Sequence, residues 1–343
     1  MRIGSCVSKR GRITKGSFPV CKHNGKTIRM PVAIAEGKES NKKIFFSAGM
    51  HGNELNGVEI LQRFMHGFNV KKLTGTIIFL PVLNTSGYSA ESRYVQYDKL
   101  DLNRSFGKGK SISHVIARSV QEEVLRHCEF GVDLHDSGGD NILIPHTRVH
   151  GVTERVCKDG CTASIGSLFG TELIMDRIGR KGMFAIESYK QHNLPVLTVE
   201  IGGAMIIWED WIPIGIRGLN NLLKHYKMIP GKLILPRKQY VMKQLDIIRK
   251  GYKAKFEGIF TLKKELGTHV SKGELVAEIH DPIHERTQEI KARHKGIVFS
   301  TKLLNKIDKD EVALTIVRAS DRDVKIIDNK KKDAVLKRNS INF

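Results

Sequence analysis

The chain has 343 residues, of which 27% are charged and 40% hydrophobic, the balance of an ordinary soluble globular protein. No apolar run approaches the length of about 18 residues that a transmembrane helix needs, and residues 1–12 lack the apolar core of a secretory signal. The five cysteines are odd in number and widely scattered, which argues against a disulfide framework. We therefore expect a cytoplasmic protein with no membrane partner.

The formal net charge of +21 is large enough to suggest an anionic partner. The excess is spread along the chain, and no basic stripe is interleaved with aromatic residues as a single-strand binder would need. We therefore predict that nucleic acid is not the partner, and that the charge is background or attracts anionic small molecules. Nothing in the sequence decides between a monomer and a homo-oligomer.

The first 230 residues alternate apolar strands with amphipathic helices, which predicts an α/β sheet covered on both faces. The predicted strands cover 42–49, 76–83, 131–135 and 195–201, and the predicted helices cover 55–65, 112–128 and 211–228. After Pro230, short strands separated by turn signals predict a small all-β module over 231–320. Residues 321–343 are rich in Lys, Asp and Asn, which predicts a basic, loosely ordered tail.

Two histidines and a glutamate fall at predicted strand ends, where the ligand sites of α/β sheets gather. His51 and Glu54 lie in GMHGNE at 49–54, and His135 ends the strand segment VDLH. Two His and one Glu make a catalytic zinc set with one position left open, whereas a structural site would use more cysteine. Each residue alone also has an ordinary explanation, because His-x-x-Glu pairs occur by chance and a strand-end His is often simply hydrogen-bonded.

A second glutamate, Glu200, stands at the end of another apolar strand in LTVEIGG. A carboxylate is costly to bury there unless it is paired or used. It could accept a proton from metal-activated water, or it could be the salt-bridge partner of one of the many cations. Arg93, and Asn103 with Arg104 in DLNRSF, add donors that suit a carboxylate, although such arginines are often surface residues.

In order and separation these segments resemble the succinylglutamate desuccinylase and aspartoacylase family, relatives of the zinc carboxypeptidases. The segments that carry the resemblance are GMHGNE at 49–54, DLNRSF at 101–106, DLH at 133–135 and LTVEIGG at 197–203. The resemblance covers about residues 40–317. It implies a zinc-carboxypeptidase-like α/β/α sandwich with a mixed central sheet over 1–230, plus a C-terminal β module resembling a barrel-sandwich hybrid.

The resemblance also implies one zinc ion per chain, held by His51, Glu54 and His135. Glu200 would be the general base that activates water for attack on the scissile carbonyl. Asp133 would orient a ligand imidazole by contacting the ring nitrogen that does not bind the metal, as carboxylates commonly do in zinc sites.

Substrate contacts follow from the same resemblance. Arg93 would polarise the scissile carbonyl and stabilise the oxyanion, and Asn103 and Arg104 would hold a substrate carboxylate. Family members usually continue this motif as Phe-Pro-Gly, whereas this chain has Phe-Gly-Lys at 106–108, which alters the loop after Arg104. A second substrate carboxylate would need a further cation, for which the candidates are Arg177, Arg180 and Lys181.

The β module has glycine-punctuated hairpins like those of biotinyl and lipoyl carrier domains, but it lacks a carrier tripeptide with a modifiable Lys. We therefore predict a structural role that narrows the mouth of the active site. The implied activity is hydrolysis of a small N-acyl amino acid or related carboxylate-bearing amide. The alternatives are a metallocarboxypeptidase acting on peptides and a non-catalytic binding protein with a basic surface.

Overall fold

The computed structural model describes residues 1–150, 161–242, 249–319 and 324–329. Its helices are α1 Asn56–Gly67, α2 Thr85–Ser89, α3 Ile112–Glu123, α4 Cys161–Phe169, α5 Phe184–His192 and α6 Ile212–His225. Short 3₁₀ turns cover Val70–Lys72, Leu102–Arg104 and Leu125–His127. No helix within the described ranges combines the length and the apolar character that a membrane crossing demands.

The strands of the first half are β1 Arg2–Ile3, β2 Cys6–Val7, β3 Arg12–His23, β4 Lys26–Glu36, β5 Lys38–Ala48, β6 Thr74–Leu80, β7 Phe130–His135, β8 Asn141–His150, β9 Leu173–Arg177 and β10 Val196–Gly203. Those of the second half are β11 Lys238–Met242, β12 Arg249–Lys253, β13 Gly258–Leu262, β14 His269–Val270, β15 Leu275–Asp281, β16 Arg286–Lys291, β17 Gly296–Lys302, β18 Lys306–Ile307, β19 Val312–Arg318 and β20 Val324–Asp328.

One large mixed sheet forms the centre, with neighbouring strands in the order β12-β19-β17-β8-β10-β7-β5-β6-β4-β3. Its middle is parallel, because β5 pairs in parallel with β6 and β7, and β10 pairs in parallel with β7. Antiparallel partners flank this core, with β4 beside β6 and β8 beside β10. The carboxyl ends of β5, β7 and β10 therefore meet at one edge of the sheet.

Helices cover both faces of this sheet, because successive strand residues point to opposite sides. Phe46 and Val132 face one core, to which α1, α4 and α6 contribute apolar side chains. Phe45 and Val196 face the other core, which is closed by α3 and α5. The predicted α/β/α sandwich with a mixed central sheet is confirmed.

The second half of the chain adds a smaller sheet in the order β16-β15-β13-β18, with its own apolar core. This C-terminal module, defined here as residues 258–319, joins the main sheet where β17 pairs with β8. Strand β11, beyond the predicted boundary at residue 230, pairs with β9, and β20 pairs with β11. The predicted tail is therefore not irregular throughout, since it contains β20; residues 320–323 and 330–343 lie outside the described residues.

Some elements differ from the predicted ones. The helix predicted over 112–128 ends as α3 at Glu123 and continues as a 3₁₀ turn. The long N-terminal hairpin β3–β4, with β8 and β9, was not predicted from the sequence. These strands mix charged and apolar residues without the clean alternation on which the prediction relied.

Candidate metal and catalytic site

A cavity of about 430 Å³ lies at the edge of the sheet where β5, β7 and β10 end. It gathers residues from all four sequence segments, and the predicted site residues that line it are His51, Glu54, Arg93, Asn103, Arg104, His135 and Glu200. Of the three candidate cations for a second carboxylate, Arg177 and Arg180 line the cavity and Lys181 does not.

The turn after β5 aims the first two of these side chains into the cavity. Gly49 has a left-handed backbone with φ of 62°, which glycine adopts without strain. At Gly52 a Cβ atom would collide with the backbone of Gly87 and Tyr88, so no other residue fits there without movement. The glycines of GMHGNE thus let the chain bend back tightly enough to bring His51 and Glu54 together.

His51, Glu54 and His135 converge on one point. The Nδ1 atoms of His51 and His135 lie 2.6 Å and 2.7 Å from the two carboxylate oxygens of Glu54. One donor atom from each of the three residues lies within 4.8 Å of the others, and each residue is 3% exposed. Two imidazole nitrogens and one carboxylate oxygen in this arrangement suit zinc, which favours such donors in tetrahedral sites.

Carboxylates behind the two imidazoles fix the orientation of the rings. Asp133 Oδ2 lies 2.6 Å from Nε2 of His135, and Ser47 Oγ donates to the other oxygen of Asp133 at 2.7 Å. Asp101 Oδ1 lies 3.1 Å from Nε2 of His51. This arrangement leaves each Nδ1 atom facing the shared point, which is the usual architecture of histidine–metal sites.

The carboxylates around this point favour a bound positive charge. Burial lowers the pKa of both imidazoles, but the carboxylates of Glu54, Asp101 and Asp133 more than offset it, so the pKa values of His51 and His135 are raised. Burial opposes ionisation of Glu54 too, yet the two imidazoles hold its pKa well below the usual range. A divalent metal would supply the positive charge that these carboxylates attract, so the residues fit the ion that the donor set predicts.

Asp136 is a fourth buried carboxyl group at this edge, but it ties the fold together. Its oxygens accept hydrogen bonds from the backbone and side-chain amides of Asn56, at 3.1 Å and 2.8 Å, and from Gly138 N at 2.7 Å. Burial and the charge of Glu54 raise the pKa of Asp136 to about 7. It anchors the loop after β7 to the first turn of α1.

Glu200 lies beside His135, because the two residues are directly paired between β10 and β7. Its carboxylate forms an ion pair with the guanidinium of Arg148 on the neighbouring strand β8. Burial raises the pKa of Glu200, although Arg148 and His135 pull it in the opposite direction. The salt-bridge interpretation of Glu200 therefore describes a real contact, and the same carboxylate lines the cavity.

Neighbouring atoms leave no space for a side chain at the two glycines, Gly202 and Gly203, that follow Glu200 and Ile201. Gly203 has φ of 146°, and a Cβ atom there would collide with Ser137 Oγ and Asn141 O. Ser137 Oγ lies within hydrogen-bond distance of the carbonyls of Asn141 and Gly202, which ties the loop after His135 to the end of β10. The backbone of LTVEIGG thus holds this loop in place.

Arg93 lies close to Glu54 and to Asp101. Its Nε and Nη2 atoms donate to Asp101 Oδ2 at 3.2 Å and 2.8 Å, and Nη1 lies 3.7 Å from Glu54. Burial opposes ionisation of Asp101, but His51 and Arg93 lower its pKa well below the usual range. Asp101 therefore links Arg93 to the imidazole of His51, a contact that the sequence analysis missed although DLNRSF includes this residue.

Asn103 and Arg104 stand beside this pair. Asn103 Oδ1 accepts from Phe184 N at 2.9 Å, and Arg104 Nη1 donates to the Asn103 carbonyl at 2.7 Å. Burial lowers the pKa of Arg104. The positive charges of Arg93, Arg180 and Arg177 lower it further, whereas the negative charge of Asp101 raises it. Several guanidinium groups thus share one wall of the cavity, and an anion would relieve their repulsion.

The C-terminal module also contributes to the cavity. Its lining residues are Ser300, Val312, Leu314 and Thr315. Lys302, at the end of β17, pairs with Asp140 on the loop after β7 and with Glu311 at 2.8 Å. Because Lys302 is 7% exposed, this bridge fixes the module against the loop that follows His135.

Residues 40–226 match the sequence profile of the succinylglutamate desuccinylase/aspartoacylase catalytic domain. The chain belongs to this family. The resemblance predicted from the four sequence segments is thereby confirmed, and the matched range contains every residue of the candidate site except those supplied by the C-terminal module.

Proteins that are similar to this chain have different names. The N-alpha-acetyl-L-2,4-diaminobutyric acid deacetylase of Halomonas elongata is 24% identical over 260 residues, which cover 74% of this chain and 75% of that protein. A succinylglutamate desuccinylase structure from Silicibacter sp. TM1040 has a TM-score of 0.79 and 22% identity, covering 93% of this chain and 100% of that one. The product-bound ectoine utilization protein EutE (DoeB) from Ruegeria pomeroyi has a TM-score of 0.76 and 21% identity, covering 91% and 97%. These structures establish the shared fold.

Proposed function

We propose that this chain is a zinc-dependent deacylase that hydrolyses the amide bond of a small N-acyl amino acid or a related carboxylate-bearing amide. The observation that carries the proposal is the convergence of His51, Glu54 and His135 on one point, beside Glu200 and an arginine-lined wall. Membership in a deacylase family supports the reaction class.

The metal-binding and catalytic roles in this proposal fall to five of the residues that line the cavity. Zinc held by His51, Glu54 and His135 would act as a Lewis acid toward the scissile carbonyl and lower the pKa of water. Glu200 accepts the proton of the attacking water and returns it to the leaving amine. Arg93 donates to the oxyanion that develops on the carbonyl oxygen.

The substrate is proposed to be small and anionic. Arg104, with the amide of Asn103, binds the carboxylate of the amino acid, because a guanidinium offers a planar pair of donors. Arg177 and Arg180 are available for a second carboxylate on the acyl or the amino acid part. Val312 and Leu314 of the C-terminal module also line the cavity, and we propose that they narrow it enough to favour an acyl amino acid over a polypeptide.

Release of free amine from a panel of N-acetyl and N-succinyl amino acids, compared with short peptides, tests this substrate class. We expect the N-acyl amino acids to be cleaved faster, whereas faster peptide cleavage would identify a carboxypeptidase. Arg104→Met should raise KM by about tenfold or more through loss of a charge-assisted contact. Lys181→Met is the matched control, because Lys181 does not line the cavity, and its KM should equal that of the wild type.

The non-catalytic alternative makes a different prediction. A binding protein would show salt-sensitive affinity for nucleic acid that Glu200→Gln leaves unchanged. A cytoplasmic location is also proposed, since Cys6, Cys21 and Cys128 are free thiols, as a reducing compartment would keep them.

A further inference from the structure

The carboxyl ends of β5, β7 and β10 form what we call the catalytic edge of the sheet. Near this edge, six polar side chains form two rows across three neighbouring strands. Glu200 on β10 is directly paired with His135 on β7 and with His146 on β8. Thr198 is paired in the same way with Asp133 and Arg148. Because directly paired residues share one face of a sheet, and so do residues two apart on a strand, all six face the same side. His146 and Arg148 belong to none of the segments that carry the family resemblance.

Arg148 joins the two rows. Its Nη1 atom pairs with the Glu200 carboxylate, and its Nε atom donates to His146 Nε2 at 3.1 Å. A guanidinium can make these two contacts at once because its donors point in fixed, divergent directions, which the single ammonium of a lysine does not provide. The Arg148 side chain is 16% exposed and, like Glu200, lines the cavity.

His146 in turn fixes the guanidinium. Its Nδ1 atom lies 2.8 Å from the Ile144 carbonyl, which can only accept, so Nδ1 carries the proton. Its Nε2 atom is then the acceptor that the Arg148 Nε–H requires, and the ring is neutral. The ring is fully buried and lies 4.9 Å, centroid to centroid, from Phe299 of the C-terminal module. A continuous line of contacts therefore runs from the module through His146 and Arg148 to Glu200.

We propose that Arg148 is a positioning residue for Glu200: held by His146, it fixes the carboxylate beside His135 in the orientation that proton transfer requires. This inference rests on the proposed function, since it assigns Arg148 a role only in a reaction that uses Glu200 as the base. Without Arg148, the carboxylate would rotate among its rotamers and be aligned with the attacking water for a smaller part of the time.

Kinetics of Arg148→Met and Arg148→Lys, with metal content measured on the same samples, test the proposal. We expect Arg148→Met to lower kcat about 10–100-fold, as loss of a supporting contact does, with KM changed less than about threefold and the metal content kept. Arg148→Lys should recover part of the loss, because it retains the charge but not the fork. His146→Phe keeps the ring packed on Phe299 but removes the acceptor, and it should lower kcat in the same way to a smaller extent.

Val149→Ala is the matched control, because Val149 is the next residue on β8 and is buried in the opposite core. It should lower the melting temperature and leave kcat unchanged. A wild-type kcat in Arg148→Met, or a loss of kcat accompanied by loss of metal, would overturn the proposal while the proposed function stands. A metal-loaded wild-type protein without turnover would overturn the proposed function itself. In that event a crystal structure of Arg148→Met would still test whether Arg148 positions Glu200. A Glu200 side chain in the wild-type rotamer would refute this role, and a displaced carboxylate would support it.

Discussion

The catalytic edge of the sheet and the C-terminal module line the same cavity, but they contribute different chemistry. The edge supplies ionisable groups at the ends of β5, β7 and β10, each held by a second polar group such as Asp133 behind His135. The module supplies hydroxyl and apolar side chains, and it is joined to the main sheet by the pairing of β17 with β8 and by the ion pairs of the buried Lys302. Changes at the edge should therefore affect the reaction, whereas changes in the module should affect which substrates reach the cavity.

Replacement of the proposed base should have the largest effect. Glu200→Gln keeps the shape of the side chain but cannot accept a proton, so kcat should fall about 10²–10⁴-fold with the metal content unchanged. Glu209→Gln is the control, since Glu209 is an exposed carboxylate paired with Arg63. Turnover of Glu200→Gln at the wild-type rate would remove Glu200 from the mechanism.

Removal of one charge behind a proposed ligand should come next. Asp133→Asn should weaken zinc binding about 10–100-fold, because the amide no longer holds His135 as a charged partner does. Competition with a chelator of known affinity measures the change. Asp308→Asn, in the exposed part of the module, should bind zinc as the wild type does; equal weakening in both variants would break the distinction between the two regions.

A change of backbone at the edge should cost stability. Gly203→Ala places a Cβ atom against Ser137 and Asn141, so we expect a loss of about 2 kcal/mol or more in the free energy of unfolding. Gly139→Ala is the matched control on the adjoining loop, because Gly139 also has a positive φ, of 49°, but its Cβ would meet no atom within 4 Å. Urea titrations of both variants compare the two costs, and equal midpoints would contradict the crowding argument.

A change in the fastening of the module should have the smallest effect on the reaction itself. Lys302→Met removes the cation shared by Asp140 and Glu311. We expect kcat/KM for an N-acyl amino acid to stay within about threefold of the wild type, while cleavage of short peptides rises relative to it. Lys306→Met, which removes exposed ion pairs of the same module, should leave this ratio unchanged.

The sequence analysis predicted the edge far better than the module or the supporting contacts. His51, Glu54 and His135 were predictable because each follows a short apolar strand, and parallel strands bring such ends together. Arg148 was not predictable in the same way. Its partner Glu200 lies 52 positions further on, and the two meet only through the antiparallel register of β8 and β10.

The contribution of the module was predictable only in outline. Its strands follow from turn signals, but Val312 and Leu314 have no chemical signature that marks a cavity wall. Their position depends on the pairing of β17 with β8, a long-range contact between segments of mixed composition. Apolar periodicity predicts strands and helices, but it does not show which apolar residues line a cavity.

Metal content and turnover, measured on the same purified protein, test the central claim most directly. We predict about one zinc ion per chain, consistent with the one two-His, one-Glu donor set found among the residues that the structure describes. Exhaustive chelation should abolish hydrolysis of N-acyl amino acids, and stoichiometric zinc should restore it in the wild type but not in His135→Ala. Full turnover by metal-free protein, or by His135→Ala, would contradict the account.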